Sequence, residues 1–262
     1  MATKESVNLM PTNRAMAIVL AAGKGTRMQS ELPKVLVPVC GRPMVRFAIE
    51  ALQAAGVGRI VVVVGYRADL VRSELGSIPG VEFADQTEQL GTGHAVMMCR
   101  PALTEHRGPV VVVAGDSPML QVSSVKTLLD EFERRLAACL LGTVRRDDPQ
   151  GYGRIVRNDA GEFVGIVEEK DATPEQRAID EINVSTYVFD GQELLGALDQ
   201  LRADNSQREY YITDCPSILL KAGKRVEALA VLKPCEALSI NSVAELAKVE
   251  AEMRRLGIGT AG

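Results

Sequence analysis

Met16-Ala-Ile-Val-Leu-Ala-Ala-Gly-Lys-Gly-Thr-Arg-Met28 joins a short apolar run to a glycine-rich turn. The run from Met16 to Leu20 is apolar on both faces, which suits a strand of a parallel sheet buried between helix layers. Similar runs recur at Ile60 to Val64, Val110 to Ala114, Cys139 to Thr143, Ile182 to Phe189 and Val226 to Val231. Amphipathic stripes separate them. Val45, Ala48, Ile49, Leu52 and Ala55 form one, ended by Gly56; Val125, Leu128, Leu129, Phe132 and Leu136 form another, opening near Ser123 and Ser124. The first half therefore reads β-α-β-α, the pattern of a doubly wound α/β domain.

From about residue 144 the texture changes. Arg157-Asn-Asp-Ala-Gly161 lies between two extended runs, Gly153 to Val156 and Phe163 to Glu168, and predicts a hairpin in a small antiparallel insertion. Helical pattern returns at Gln192 to Leu201, at Pro216 to Ala222 and in the Ala-, Leu- and Glu-rich run from Val243 to Leu256. With no internal repeat or long linker, the expected organisation is an N-terminal extension over 1–14, one domain over 15–242 and a C-terminal helical arm over 243–262.

Composition narrows the function. The 262 residues are 46% hydrophobic and 24% charged, a globular profile rather than that of a disordered chain. Thirty Lys+Arg stand against 34 Asp+Glu, so the chain lacks the basic excess that draws proteins to nucleic acid or anionic lipid, and neither is an expected partner. Five cysteines, at 40, 99, 139, 215 and 235, include no C-x-x-C pair and read as thiols of a cytosolic protein. No window approaches the ~18 apolar residues of a membrane span, and the first fourteen residues carry no apolar export core. The two histidines, His94 and His106, leave little room for zinc-hydrolase or Ser-His-Asp chemistry.

The turn itself carries chemistry. Gly23 and Gly25 fall at the carboxyl end of the first strand, where open α/β sheets bind ligands, and glycines let backbone N–H groups approach phosphate oxygens. A dinucleotide fingerprint would want glycine where Met28 stands and an acid at the end of the second strand, which instead finishes Val64-Gly65. The Walker A string is absent as well. After the glycines come Arg27 and then Pro33-Lys34, two cations spaced to clamp a polyphosphate; an ordinary turn with surface charges is the alternative.

Leu20-Ala-Ala-Gly-Lys-Gly-Thr-Arg-Met28 with Leu32-Pro33-Lys34 resembles the signature of the sugar-1-phosphate nucleotidyltransferases. Gln86-Thr-Glu-Gln-Leu-Gly-Thr-Gly-His94, Gly151-Tyr-Gly-Arg-Ile155, Ile166-Val-Glu-Glu-Lys-Asp171, Glu181-Ile-Asn183 and Glu209-Tyr-Tyr-Ile-Thr-Asp214 are similar to strings in the pyrophosphorylase domain of the N-acetylglucosamine-1-phosphate uridyltransferases. The resemblance spans about residues 15 to 255 in order and spacing. It implies a Rossmann-like doubly wound mixed sheet of the nucleotide-diphospho-sugar transferase type, with a small β insertion and a C-terminal helix. The implied reaction is cytoplasmic, serves cell wall biosynthesis and makes UDP-N-acetylglucosamine and pyrophosphate from UTP and N-acetylglucosamine 1-phosphate with Mg²⁺.

The resemblance also implies roles. Arg27 and Lys34 would contact the triphosphate, and Leu20, Ala21, Ala22 and Gly23, with Ala114 and Gly115, would line the nucleotide side. Gln86 and the Gly91-Thr92 backbone would read uracil; Gly153, Glu168 and Asn183 would line the sugar side; Asp116 and Asn241 would hold the metal. Each has a plainer reading: Asp116 and Thr92 as helix caps, Glu168 as a solvated charge in an acidic run, His94 as a polar residue at a helix start. Several positions depart from the family pattern, namely Ala114, Ser117, Ser242-Val243 after Asn241, and Val184-Ser185 after Asn183, where Thr-Gly or Ser-Gly is usual. The last pair leaves another sugar phosphate, of glucose or muramate type, as an alternative substrate. A non-catalytic UDP-sugar-binding protein is a further alternative. The chain shows no hexapeptide periodicity before Gly262, so a β-helix trimerisation and acetyltransferase domain is not expected within it.

Overall fold

The computed structural model describes residues 15–25, 28 and 30–259. The predicted extension over 1–14 and Arg27 lie outside the described residues.

A seven-strand path runs through the centre of the domain. Its order is β11 (Val226–Leu229), β7 (Cys139–Arg145), β10 (Glu181–Asp190), β6 (Pro109–Ala114), β1 (Met16–Leu20), β4 (Arg59–Val64) and β5 (Val81–Asp85). β1 pairs in parallel with β4 and β6, β4 with β5, and β11 with β7, as the two-sided apolar runs predict. The run at 182–189 is the exception. As β10 it lies antiparallel to both β6 and β7, because an apolar strand buried on both faces carries no mark of its direction. The predicted hairpin is present as β8 (Gly153–Arg157) and β9 (Phe163–Val167), with β8 also pairing β10 through Gly153 and Asn183.

Alternation along β1 divides the core. Ala17, Val19 and Ala21 join the cluster under α1 (Met44–Ala54), α2 (Ala68–Leu75) and α5 (Val122–Arg135), while Met16 and Ile18 join the cluster under α3 (Thr92–Met97), α4 (Arg100–Glu105), α7 (Gly191–Leu198) and α8 (Cys215–Lys221). α1 presents Val45, Ala48, Ile49 and Leu52 inward, each fully buried, as the 3,4 stripe requires. α9 (Val243–Arg255) caps a third, smaller cluster. Its Val249 and Met253 pack with Met28, Val37 and Val39 beside the glycine-rich turn, and its Glu250 accepts a bond from the Cys40 backbone N–H at 2.9 Å. The short strands β2 (Pro38–Val39) and β3 (Arg42–Pro43) and the helix α6 (Pro174–Arg177) complete the described elements other than 3-10 turns. No described helix is long and apolar enough to cross a membrane.

This winding sets the position of the site. The chain runs β1, β4, β5 outward in one direction and returns to lay β6 against the other side of β1, so the strand order reverses between β1 and β6. Ligands of open α/β sheets sit at the carboxyl ends of the strands at such a reversal. There Leu20 is paired with Ala114.

Candidate functional site

Two cavities open at that reversal. One, of about 340 Å³, is lined by Leu20, Ala22 and Gly23 after β1, by Ala114 and Asp116 after β6, and by Lys34, Gln86, Gly91 and Thr92. The other, of about 290 Å³, is lined by Gly153, Glu168 and Asn183 together with Tyr152 and Ser239. Thr92, Ala114, Asp116 and Ser185 belong to both walls, so the cavities meet at Asp116.

Lys34 reaches this junction through the glycine-rich turn. It starts a 3-10 turn over Lys34–Leu36 behind Pro33, and its aliphatic stem crosses the place where a side chain on Gly25 would stand. A Cβ there would come within 2.6 Å of the Lys34 Cβ, and Gly25 has φ +66°, so glycine serves both the turn and the passage. The Lys34 ammonium forms an ion pair with Asp116 Oδ2 and donates to Asn241 Oδ1 at 2.6 Å. Two residues 125 positions apart in sequence thus aim oxygens at one cationic point. The cap reading of Asp116 does not hold, since the N-cap of α5 is Gln121.

The loop over residues 90–93 is held by the Glu209-to-Asp214 segment. Tyr210 N–H donates to Leu90 O at 2.8 Å, Gly93 N–H to Tyr210 O at 2.7 Å, and Ile212 N–H to Thr92 Oγ1 at 3.1 Å. Thr92 therefore uses its hydroxyl to pin the two loops together rather than to cap α3. Gly91 adopts φ +108°, and a Cβ on it would lie 2.5 Å from Tyr210 O, so both conformation and space require glycine. Buried Gln86 sits beneath, its Nε2 3.0 Å from Gly91 O and 3.2 Å from His94 Nδ1.

In the second cavity Gly153, Glu168 and Asn183, drawn from successive extended segments, come together. The Cβ position of Gly153 is 3.5 Å from both Asn183 Cβ and Glu168 Oε1. Burial pushes the Glu168 carboxyl above the ordinary range; a hydrogen bond with Thr213 opposes this, and Asp214 and Asp171 add to it. Asp214 is likewise raised, mainly by burial. Asn183 donates to the Tyr187 hydroxyl at 2.7 Å and accepts from Ser185 N–H at 3.2 Å. The Asn183-to-Thr186 register shift between β10 and β7 puts Ser185 at φ +57°, the left-handed conformation that the usual glycine would adopt at no cost.

Two expected lining residues face elsewhere. Ala21 points into the core and gives its N–H to Val63 O, and Gly115 gives its N–H to Leu20 O, so both serve the sheet. Neither lines the two cavities. The site also holds residues that sequence reasoning did not single out: Gln89, which donates to Ala22 O at 2.9 Å, and Glu209 in the first wall, and Tyr152, Ser239 and Glu236 in the second; Ser185, which the sequence marks only as a departure from the family pattern, lines both. The motifs containing Tyr152 and Glu209 are visible in the sequence, but periodicity gives no sign of which motif residue faces the cleft.

The model of the MobA-like NTP transferase domain matches residues 17–214, a span that includes β1, the loop at Gly91 and the β8–β9 hairpin. The chain belongs to this family. Among curated proteins, it is 46% identical over 239 residues to "Bifunctional protein GlmU" of Brevibacillus brevis, an alignment covering 91% of this chain and 51% of the relative. It is 45% identical over 246 residues to the protein of that name from Syntrophotalea carbinolica, covering 94% and 53%. The chain thus spans about half the length of the curated relatives it matches. Solved structures share the fold at low identity. A UDP-glucose pyrophosphorylase complexed with UDP-glucose superposes with TM-score 0.74 at 17% identity, covering 92% of this chain and 98% of that one.

Proposed function

We propose that the chain transfers a uridylyl group from UTP to N-acetylglucosamine 1-phosphate, giving UDP-N-acetylglucosamine and pyrophosphate in the cytoplasm for cell wall synthesis. The observation that carries this reading is the meeting of two cavities at Asp116, one lined by Gln86, Gly91 and Thr92 and the other by Gly153, Glu168 and Asn183, with Lys34 paired to Asp116 at the junction. The 46% identity to a bifunctional GlmU protein supports it.

In the reaction a phosphate oxygen of the sugar phosphate attacks the α-phosphorus of UTP in line. The new O–P bond forms as the α–β bridge breaks, and its electron pair leaves on pyrophosphate. A phosphate oxygen is already a nucleophile, so no side-chain base is needed; alignment and charge neutralisation do the work. Lys34 holds positive charge at the junction where the α-phosphate would lie, and Arg27 follows from the sequence pattern as the second cation. Gln86 and the Gly91-Thr92 backbone bind the base, and Glu168 and Asn183 take sugar hydroxyl and amide groups around the space left by Gly153.

Asp116 and Asn241 fit a Mg²⁺ ion. Both are hard oxygen donors converging on one cationic nitrogen, and among the described residues no group of three or more His, Cys, Asp or Glu forms a fuller cage. A sparse pair is what Mg²⁺ uses when phosphates and water complete its shell. When bound, the ion would supply further neutralisation of the phosphate oxygens.

Pyrophosphate release across a panel of sugar phosphates tests the substrate. The reading predicts the highest kcat/KM with N-acetylglucosamine 1-phosphate; a higher value with glucose 1-phosphate or a muramate derivative would replace it with the alternative that the Val184-Ser185 departure raised.

A further inference from the structure

His94 enters neither the sugar site nor the phosphate site, yet it touches the side chain assigned to the base. Gly91 O can only accept a hydrogen bond, so the group of Gln86 that faces it at 3.0 Å is the NH₂, and the second hydrogen of that NH₂ goes to His94 Nδ1 at 3.2 Å. His94 must accept there. Both amide hydrogens of Gln86 are spent inside the protein, and what remains for a ligand is the carbonyl oxygen.

We propose that His94 is a positioning residue for nucleotide choice, holding Gln86 in the one amide orientation that offers an acceptor to the base. The proposal rests on the reading of Gln86 as a base contact and adds what fixes its direction. Uracil carries an N–H at N3 and satisfies a carbonyl; cytosine carries a lone pair there and leaves the carbonyl unpaired against another acceptor. Were the amide free to turn, its NH₂ would suit cytosine and the distinction would fade. Gly91 O alone gives one bond to hold it, and His94 supplies the second. The sequence spacing is consistent with this: His94 lies on the first turn of α3, three residues beyond Gly91, so the turn that requires glycine also brings the imidazole within reach of the Gln86 amide.

A packing role is the competing account, since the His94 ring lies 6.4 Å from that of Tyr210. Two variants separate them. His94→Leu keeps bulk and removes the acceptor; His94→Asn keeps an acceptor oxygen one bond from Cγ, at the place of Nδ1. Steady-state kinetics with UTP and CTP, on proteins whose fold is checked by circular dichroism, give the readout. The expected result is a loss in His94→Leu of about threefold to tenfold in the UTP-over-CTP ratio of kcat/KM, the worth of one hydrogen bond, arising in KM for UTP more than in kcat. His94→Asn retains most of the preference. If His94→Leu does not fold, His94→Ala takes its place with the same expectation. A leucine or alanine variant with the wild-type ratio, or an asparagine variant that loses as much as they do, overturns the role of His94. A wild-type protein without preference for UTP overturns the assignment of Gln86 itself, and His94 with it.

Discussion

Lys34 is where the account is most exposed at the level of single residues. Its ammonium joins Asp116 and Asn241, and a preorganised cation of this kind typically contributes about 10²- to 10³-fold to turnover. Lys34→Ala is expected to lose that much kcat while keeping its fold by circular dichroism; near wild-type turnover would remove Lys34 from the mechanism. Asp116→Asn keeps the shape and removes the charge, so the Mg²⁺ concentration giving half-maximal rate is expected to rise as kcat falls. An unchanged metal titration would make Asp116 a structural residue. Glu168 gives a prediction of opposite sign for stability. Its carboxyl is raised in the folded protein, chiefly by burial, so the folded state favours the protonated form. Stability is therefore fullest below the ordinary value of 4.5 and is lost as pH rises through the raised folded value. Glu168→Gln is expected to raise Tm at pH 7 and above, with the gain shrinking toward pH 4.5, while kcat/KM for the sugar phosphate falls. A Tm gain that does not change with pH would mean that burial of the charge is not its cause.

At the scale of elements, the loop before α3 and the segment before α8 behave as one device. Three backbone or hydroxyl bonds tie residues 90–93 to residues 210–212, and Gly91 sits in a conformation other residues avoid. Gly91→Ala is expected to destabilise by about 1–3 kcal/mol from the backbone alone, with the 2.5 Å approach to Tyr210 O adding to it, read from the denaturant midpoint. The same elements show what a sequence can and cannot disclose. β1, β4 and β6 are legible because two-sided apolar runs have few other uses, and the β8–β9 hairpin because Asn-Asp-Ala-Gly between extended runs is turn chemistry. β5 is not. Val81-Glu-Phe-Ala-Asp85 lies at the sheet edge with a single apolar face, too short for its alternation to stand out. α2 escapes for a related reason, since it starts after Arg67 in a left-handed conformation with no side-chain cap to announce it. The direction of β10 is not readable at all, because pattern reports burial and not polarity.

At the scale of the whole molecule, the site is a consequence of the winding. β1 and β6 are drawn together at the reversal of strand order, and their carboxyl ends deliver Gly23 and Asp116 to one place although they are 93 positions apart in sequence. Lys34 and Asp116, both picked out in the sequence from the glycine loop and the end of an apolar run, lie side by side in the structure. The convergence of Gly153, Glu168 and Asn183 rests on family resemblance until the pairing of β8 with β10 brings Gly153 beside Asn183. Gln89, Tyr152 and Glu209 carry no such restriction and become visible through geometry alone. If both cavities serve one transfer, phosphorus-31 NMR of the protein with UTP, N-acetylglucosamine 1-phosphate and Mg²⁺ shows pyrophosphate and a UDP-sugar diphosphate appearing in equal amounts, and neither when one substrate is left out. Binding of the UDP-sugar without any pyrophosphate from the two substrates would mean that the cavities hold a ligand and transfer nothing.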